Sequence, residues 1–216
     1  MRKLAYYPVF LNIRGKKCVV VGGGEVALRK VRALLECGAD VTVVSPTLEP
    51  ELTKFVEAKR IRPIYREYKP GDLKGAFIAF AATDVKEINS KVAKNTTERG
   101  MLVNVVDSPE ESDFIMPSLI RRGDLILAIS TSGTSPALAK KIRTRLEQIF
   151  GEEYVSLLSV IKEVRKELKQ EEVRVSAEDW QEAIDLDLLL GLIKTGKRED
   201  ARAALLKKLK TFQEET

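Results

Sequence analysis

The 216-residue sequence contains no histidine. That removes the side chain that titrates nearest neutral pH and the commonest nitrogen ligand for transition metals. Proton transfer must fall to Asp, Glu, Lys, Tyr or Cys. A metal could meet only carboxylates, thiols or a substrate's own donors, and no resident metal is expected. Cysteine is scarce as well. Cys18 and Cys37 have no Cys-x-x-Cys neighbour, so they read as reduced core thiols rather than ligands. No apolar run approaches the ~18 residues that cross a bilayer. The opening Met1–Tyr7 is too short and too polar for a secretory leader. The expectation is a cytoplasmic protein without membrane contact.

What is present is an ordinary globular balance of 44% hydrophobic and 32% charged residues. Net charge is +5, from 37 basic and 32 acidic residues. The basic residues lie among acidic ones on helical segments, which predicts solvated faces and no nucleic-acid partner. A mild positive excess suits a small anionic ligand.

Strand-like and helix-like segments alternate through the first half. Lys17–Val21 and Asp40–Val44 are continuously apolar or β-branched, as buried parallel strands are. Ile61–Tyr65, Ala76–Ala82 and Met101–Val105 read as three more strands. Between them, Glu25–Cys37, Leu48–Lys59 and Val85–Arg99 read as helices. The alternation predicts an α/β, Rossmann-like, mostly parallel sheet with helices on both faces. The rhythm then changes. Phe114–Ile120 and Asp124–Ser130 read as a hairpin turning at Arg121-Arg122-Gly123. A helix follows, with Ser135 as cap, Pro136 in its first turn and Leu138, Ile142, Leu146 and Ile149 on one stripe. From about Gly151 the chain is helical and charged. Its stripes are Leu157/Ile161/Val164/Leu168, Trp180/Ile184/Leu188 and a short one over Ala201–Leu209. The divisions drawn are residues 1–112, a dinucleotide-binding domain; 113–150, a small α+β region; and 151–216, a helical domain.

Gly22-x-Gly24-x-x-Ala27 follows the first strand and opens the first helix. Gly22 permits the tight turn, Gly24 lets a pyrophosphate approach the backbone, and Ala27 allows close helix–strand packing. Glu25 and Val26 open the helix, whose free N–H groups favour phosphate. This predicts a dinucleotide site. The acid usually found after the second strand is missing; Ser45-Pro46-Thr47 stands there instead. Ser45 or Thr47 could hydrogen-bond a ribose, and no arginine awaits a 2′-phosphate, so NAD is preferred over NADP. Ala82 and Thr83, at the end of the fourth strand, are candidates to line the cofactor, with an ordinary loop holding an N-cap as the alternative. Asp107, after the fifth strand, is either a general base at the cleft rim or a turn-forming residue before Ser108-Pro109.

These segments together resemble the precorrin-2 dehydrogenase/sirohydrochlorin ferrochelatase family of sirohaem synthesis. The resemblance rests on Tyr7–Leu11, Val21–Ala27 with Arg29-Lys30, Gly38-Ala39 leading to Val43–Pro46, Ala81–Asp84, Asn104–Asp107, Phe114–Ser118 and Ser130–Pro136. It implies NAD-dependent oxidation of precorrin-2, a carboxylate-rich tetrapyrrole, to sirohydrochlorin. It also implies a homodimer joined through residues 113–150. The family's essential aspartate falls on Asp107, and its NAD contacts on Gly22–Val26 and Pro46-Thr47. Asn104, Arg121, Ser130, Thr131, Ser132 and Thr134 are candidates to meet the substrate. A serine phosphorylated in some members aligns with Thr131. Some members also insert Fe²⁺ or Co²⁺ into sirohydrochlorin, which makes chelatase activity an alternative; a non-enzymatic NAD-sensing dimer is another. From its length of 216 residues, the sequence is expected to lack the methyltransferase domain of the fused enzymes.

Overall fold

The computed structural model describes residues 6–214, so Met1–Ala5 of the stretch read above for a leader lie outside it. The chain divides into two compact units between Met116 and Pro117.

The first unit runs β1 (Lys17–Val21), α1 (Glu25–Glu36), β2 (Asp40–Val44), α2 (Pro50–Glu57), β3 (Ile61–Ile64), β4 (Ile78–Ala81), α3 (Lys86–Thr97) and β5 (Leu102–Val105). The strands form one parallel sheet in the order β3-β2-β1-β4-β5, the expected Rossmann-like arrangement. Side chains on a strand alternate between faces. Cys18 and Val20 therefore join Ala27, Val31 and Leu34 of α1 in one core, while Val19 and Val21 join Val92 and Ala93 of α3 in the other. After Lys17 both faces of β1 are buried, which is why the rest of the strand is continuously apolar. Burial pushes the Cys18 thiol up to about 11, so it stays protonated at neutral pH. Cys37 is half-buried rather than buried, and neither cysteine forms a disulfide.

Some boundaries differ from expectation. The second helix begins at Pro50, not Leu48, because the Glu49 carboxylate accepts the Glu51 N–H and caps it. Ala76 is not in β4; its N–H closes a turn on the Leu73 carbonyl.

The second unit opens with an antiparallel hairpin, β6 (Ser118–Arg122) and β7 (Leu125–Ile129). The strand expected from Phe114 starts only at Ser118. Pro117 has no N–H to give a ladder, and the Phe114 carbonyl accepts from the Asn104 side chain. The turn is Gly123-Asp124, with Gly123 at φ 56°. Arg121 and Arg122 are thus strand residues opposite Ile126 and Leu125, not turn residues. Five helices follow: α4 (Pro136–Glu147), α5 (Glu153–Gln170), α6 (Ala177–Ala183), α7 (Leu186–Lys194) and α8 (Arg198–Glu214). Ser135 caps α4 as expected, accepting the Leu138 N–H. Leu157, Val160, Val164 and Leu168 of α5 pack with Leu189, Leu205 and Leu209 in a separate core. The expected Trp180/Ile184/Leu188 stripe breaks between α6 and α7, where Asp185 caps the new helix. Leu189 is buried there, whereas Leu188 is exposed. The last helix is longer than the Ala201–Leu209 stripe. No described helix is long and apolar enough to cross a membrane.

Candidate functional site

The carboxyl ends of β1, β2 and β4 open on a cleft of about 700 Å³, the position where ligands bind open parallel sheets. Gly22–Val26, Ser45-Pro46-Thr47 and Ala82-Thr83 all line it. The cofactor candidates named from sequence are therefore brought together.

The three glycines of the turn differ in what they answer to. Gly22 has φ 122°, and a Cβ there would overlap the Ala82 carbonyl. Gly23 has no room for a Cβ either, because the Thr47 carbonyl and the Ser45 side chain press against it. Its own carbonyl accepts the Glu49 N–H at 2.8 Å. Gly24 is unlike both. Its φ of −89° suits any residue, and a Cβ there would meet nothing within 4 Å. Nothing in the fold demands glycine at that position. An incoming group passing over the backbone would. Gly24 is the N-cap of α1 and offers no side-chain cap, so the first N–H groups of the helix keep the capacity to bind phosphate. Ala27, fully buried, lets α1 pack closely on the sheet.

Ser45 is buried against Gly23, whereas Thr47 is exposed at the rim. Thr83 is neither the N-cap of α3 nor a loose loop residue. Its N–H and hydroxyl donate to Asn89 Oδ1 at 3.1 and 2.8 Å, and its carbonyl accepts from Asn89 Nδ2 at 2.8 Å. Asn89 is a buried polar side chain that the sequence reading passed over. The available signal was a polar residue on the same helical face as Val92, Ala93 and Thr96. Two acids were also passed over: Glu49 and Glu67 line the cleft. The charged residues there, Glu25, Glu49, Glu67 and Asp84, are all acidic.

Asp107 does not line this cleft. It sits on the turn after β5, exposed, with φ 59°. Asp is among the few non-glycine residues that tolerate this left-handed backbone, and such strain gathers at functional positions. Asn104, at the end of β5, is buried. Its Nδ2 donates to the Phe114 carbonyl at 3.0 Å and its Oδ1 accepts from Lys30 Nζ at 3.1 Å.

The remaining candidates belong to the second unit. Ser130 Oγ accepts the Ser132 N–H, and Thr131 Oγ1 accepts the Ser135 N–H, both at 3.0 Å. Ser132 has φ 51°, and the Thr134 N–H closes on the Thr131 carbonyl. The hydroxyls of Ser130 and Thr131 thus hold the loop's shape. Ser132 and Thr134 are exposed. Arg121 is exposed on β6.

Comparison with known proteins follows this division. An NAD(P)-binding family model matches residues 9–118, and a model of the sirohaem biosynthesis protein central region matches residues 122–149. A siroheme synthase of Methylobacillus flagellatus is 41% identical over 202 residues, 92% of this chain and 43% of that protein. A siroheme synthase of Nitrosococcus oceani is 36% identical over 204 residues, 94% of this chain and 43% of that protein. The chain therefore spans less than half the length of these curated relatives. A solved structure of SirC, precorrin-2 dehydrogenase, aligns with a TM-score of 0.72 at 28% identity, covering 95% of this chain and all of that one.

Proposed function

This chain belongs to the NAD(P)-binding family of sirohaem synthesis, and from that premise we propose that it oxidises precorrin-2 to sirohydrochlorin with NAD. The observation that carries the reading is the joining, in one unit, of a dinucleotide-shaped cleft with a strained carboxylate, Asp107, at the carboxyl end of β5.

When bound, the dinucleotide supplies the hydride acceptor. The turn Gly22–Val26 and the uncapped end of α1 hold its phosphates, and Ser45, Pro46, Thr47, Ala82 and Thr83 line its path. The acidic lining repels a 2′-phosphate, which supports NAD over NADP. Glu49 and Glu67 give the cleft the negative charge that the end of β2 lacks. Asp107 takes the proton that precorrin-2 releases as it loses hydride, so two hydrogens leave the substrate as one hydride and one proton. Asn104 steadies the end of β5 beside it. In the second unit, the loop Ser130–Thr134 and Arg121 are the candidates to bind substrate. Residues 1–112 then serve as the NAD domain, 113–150 as the region that joins two copies, and 151–216 as a helical support. A homodimer fits the outward side of α4, where Leu138 and Ile142 are exposed in the single chain; Ile149, expected on the same stripe, lies past the end of the helix on a turn closed by its N–H to the Leu146 carbonyl. A cytoplasmic setting belongs to the same reading, since a reducing compartment keeps Cys18 and Cys37 as thiols.

A second activity shares the same carboxylate. Insertion of Fe²⁺ or Co²⁺ into sirohydrochlorin must remove protons from the macrocycle nitrogens, and an exposed Asp107 is a suitable acceptor.

The test is anaerobic turnover of precorrin-2, followed by sirohydrochlorin absorbance, for wild type and Asp107→Ala. The variant is expected to lose at least about a hundredfold in rate, the usual scale of a general base, while binding NAD as wild type does. Wild-type protein that leaves precorrin-2 unchanged in excess NAD overturns the reading. Adding metal without NAD separates chelation from oxidation.

A further inference from the structure

Lys30 is the residue whose environment the proposed reaction does not yet explain. A lysine on a helix ordinarily covers apolar surface with its stem and leaves its ammonium in water. Lys30 instead turns inward from α1. Its ammonium donates to Asn104 Oδ1 at 3.1 Å and lies 5.6 Å from the centre of the Phe80 ring. Phe80 meets Phe114 edge-on at 5.5 Å, and the Phe114 carbonyl holds the other end of the Asn104 amide. The cation is thus fixed by a rigid, half-apolar frame at the β5 edge of the sheet, outside the dinucleotide cleft. Desolvation and then the neighbouring Arg29 lower its pKa, while the Asp107 carboxylate acts in the opposite direction. An ammonium has three N–H donors, and among the described residues one is used.

Resting on the proposed function, we infer that Lys30 is a substrate-binding residue: it receives a carboxylate of the tetrapyrrole and sets it beside Asp107. The frame supports this in three ways. The ammonium is already partly stripped of water, so an incoming carboxylate gains more from it than from a solvated lysine. Its position is set by Asn104 and Phe80 before substrate arrives, which reduces the ordering cost of binding. It also lies within electrostatic reach of Asp107. One cation can therefore offset both the base and the substrate acid, which would otherwise repel each other.

The experiment compares wild type, Lys30→Met and Lys30→Arg. Sirohydrochlorin binding is measured calorimetrically across pH, NAD binding separately, and KM and kcat for precorrin-2 where turnover occurs. In Lys30→Met, the sirohydrochlorin Kd and the precorrin-2 KM should rise about tenfold or more, the scale of one charge-assisted hydrogen bond. NAD affinity should stay near wild type. Lys30→Arg should restore much of the binding. The charged form of Lys30 is the binding form, so wild-type affinity should fade as pH rises through the lowered lysine pKa. Arginine keeps its charge, so Lys30→Arg should hold its affinity to higher pH. If Lys30→Met does not fold, this pH difference carries the test.

A fall in kcat with unchanged KM and Kd would overturn the inference, because Lys30 would then act through Asp107 or Asn104. So would identical pH profiles for lysine and arginine. Should wild type bind sirohydrochlorin but not oxidise precorrin-2, the function reading fails while the calorimetry still decides the role of Lys30.

Discussion

Gly23 and Gly24 are neighbours that answer to different partners, and one methyl group separates them experimentally. Gly23→Ala forces a Cβ into the Thr47 carbonyl. Overpacking against backbone costs about 1–3 kcal/mol, so its thermal midpoint should drop clearly. Gly24→Ala places a methyl in open space at an ordinary φ, so its midpoint should match wild type. Its NAD affinity should nevertheless fall about tenfold or more, equal to about 1.4 kcal/mol. Melting curves and NAD titration of the two variants check this; equal NAD affinity for Gly24→Ala and wild type would refute the phosphate role. The sequence made Gly22, Gly24 and Ala27 legible because their spacing is that of a phosphate-binding strand–helix turn. Gly23 was not legible, since its constraint comes from residues 45 and 47 folding over it. Lys30 stayed hidden for the same reason: its partner Asn104 lies 74 residues away.

At the level of elements, the strands and helices of the sheet were readable because burial on both faces writes an apolar run into each strand. Their ends were less so. The caps Glu49 and Asp185 and the block at Pro117 shift boundaries through single hydrogen bonds that periodicity does not register. The segment between β3 and β4 shows what such a bond can hold. Asp72, buried on the short 3₁₀ turn Pro70–Leu73, accepts both Arg66 guanidinium nitrogens at 2.8 and 2.6 Å and the Lys69 N–H at 2.8 Å. The Arg66 hydrogen bonds hold its carboxyl below the usual 3.8, against the opposing effect of burial. Its stabilising contribution is therefore complete above that ordinary value and is lost as pH falls through the lower folded value. Asp72→Asn should cost about 2 kcal/mol at neutral pH, discounted for the partly exposed Arg66. The gap to wild type should begin to narrow as pH falls below the ordinary 3.8 and close only below the lowered folded value. Denaturant titrations from pH 7 down into acid test this, and a pH-independent gap would contradict it.

For the whole molecule, the sequence pattern placed a parallel-sheet region ahead of a helical one, and each has its own core. Periodicity marked the α4 stripe as apolar but not what it covers. Only Ala139 of that helix is buried in the single chain. Leu138→Asp with Ile142→Asp should convert a dimer to a monomer in sedimentation while NAD binding persists; a wild-type monomer would end the dimer reading. The margins of the sheet bear on assembly from the other direction. On one side, β3 carries Pro63, a residue that cannot donate to a further strand. On the other, Ser112 Oγ accepts the Val105 N–H, Asp113 Oδ2 accepts the Val103 N–H, and the Asp113 N–H answers the Val103 carbonyl. Two short polar side chains thus imitate a sixth strand. A stray peptide or a partly unfolded neighbour finds little to zip onto at either margin. The Val-rich sheet, whose sequence would score as fibril-prone in isolation, is thereby kept from templating its own aggregation.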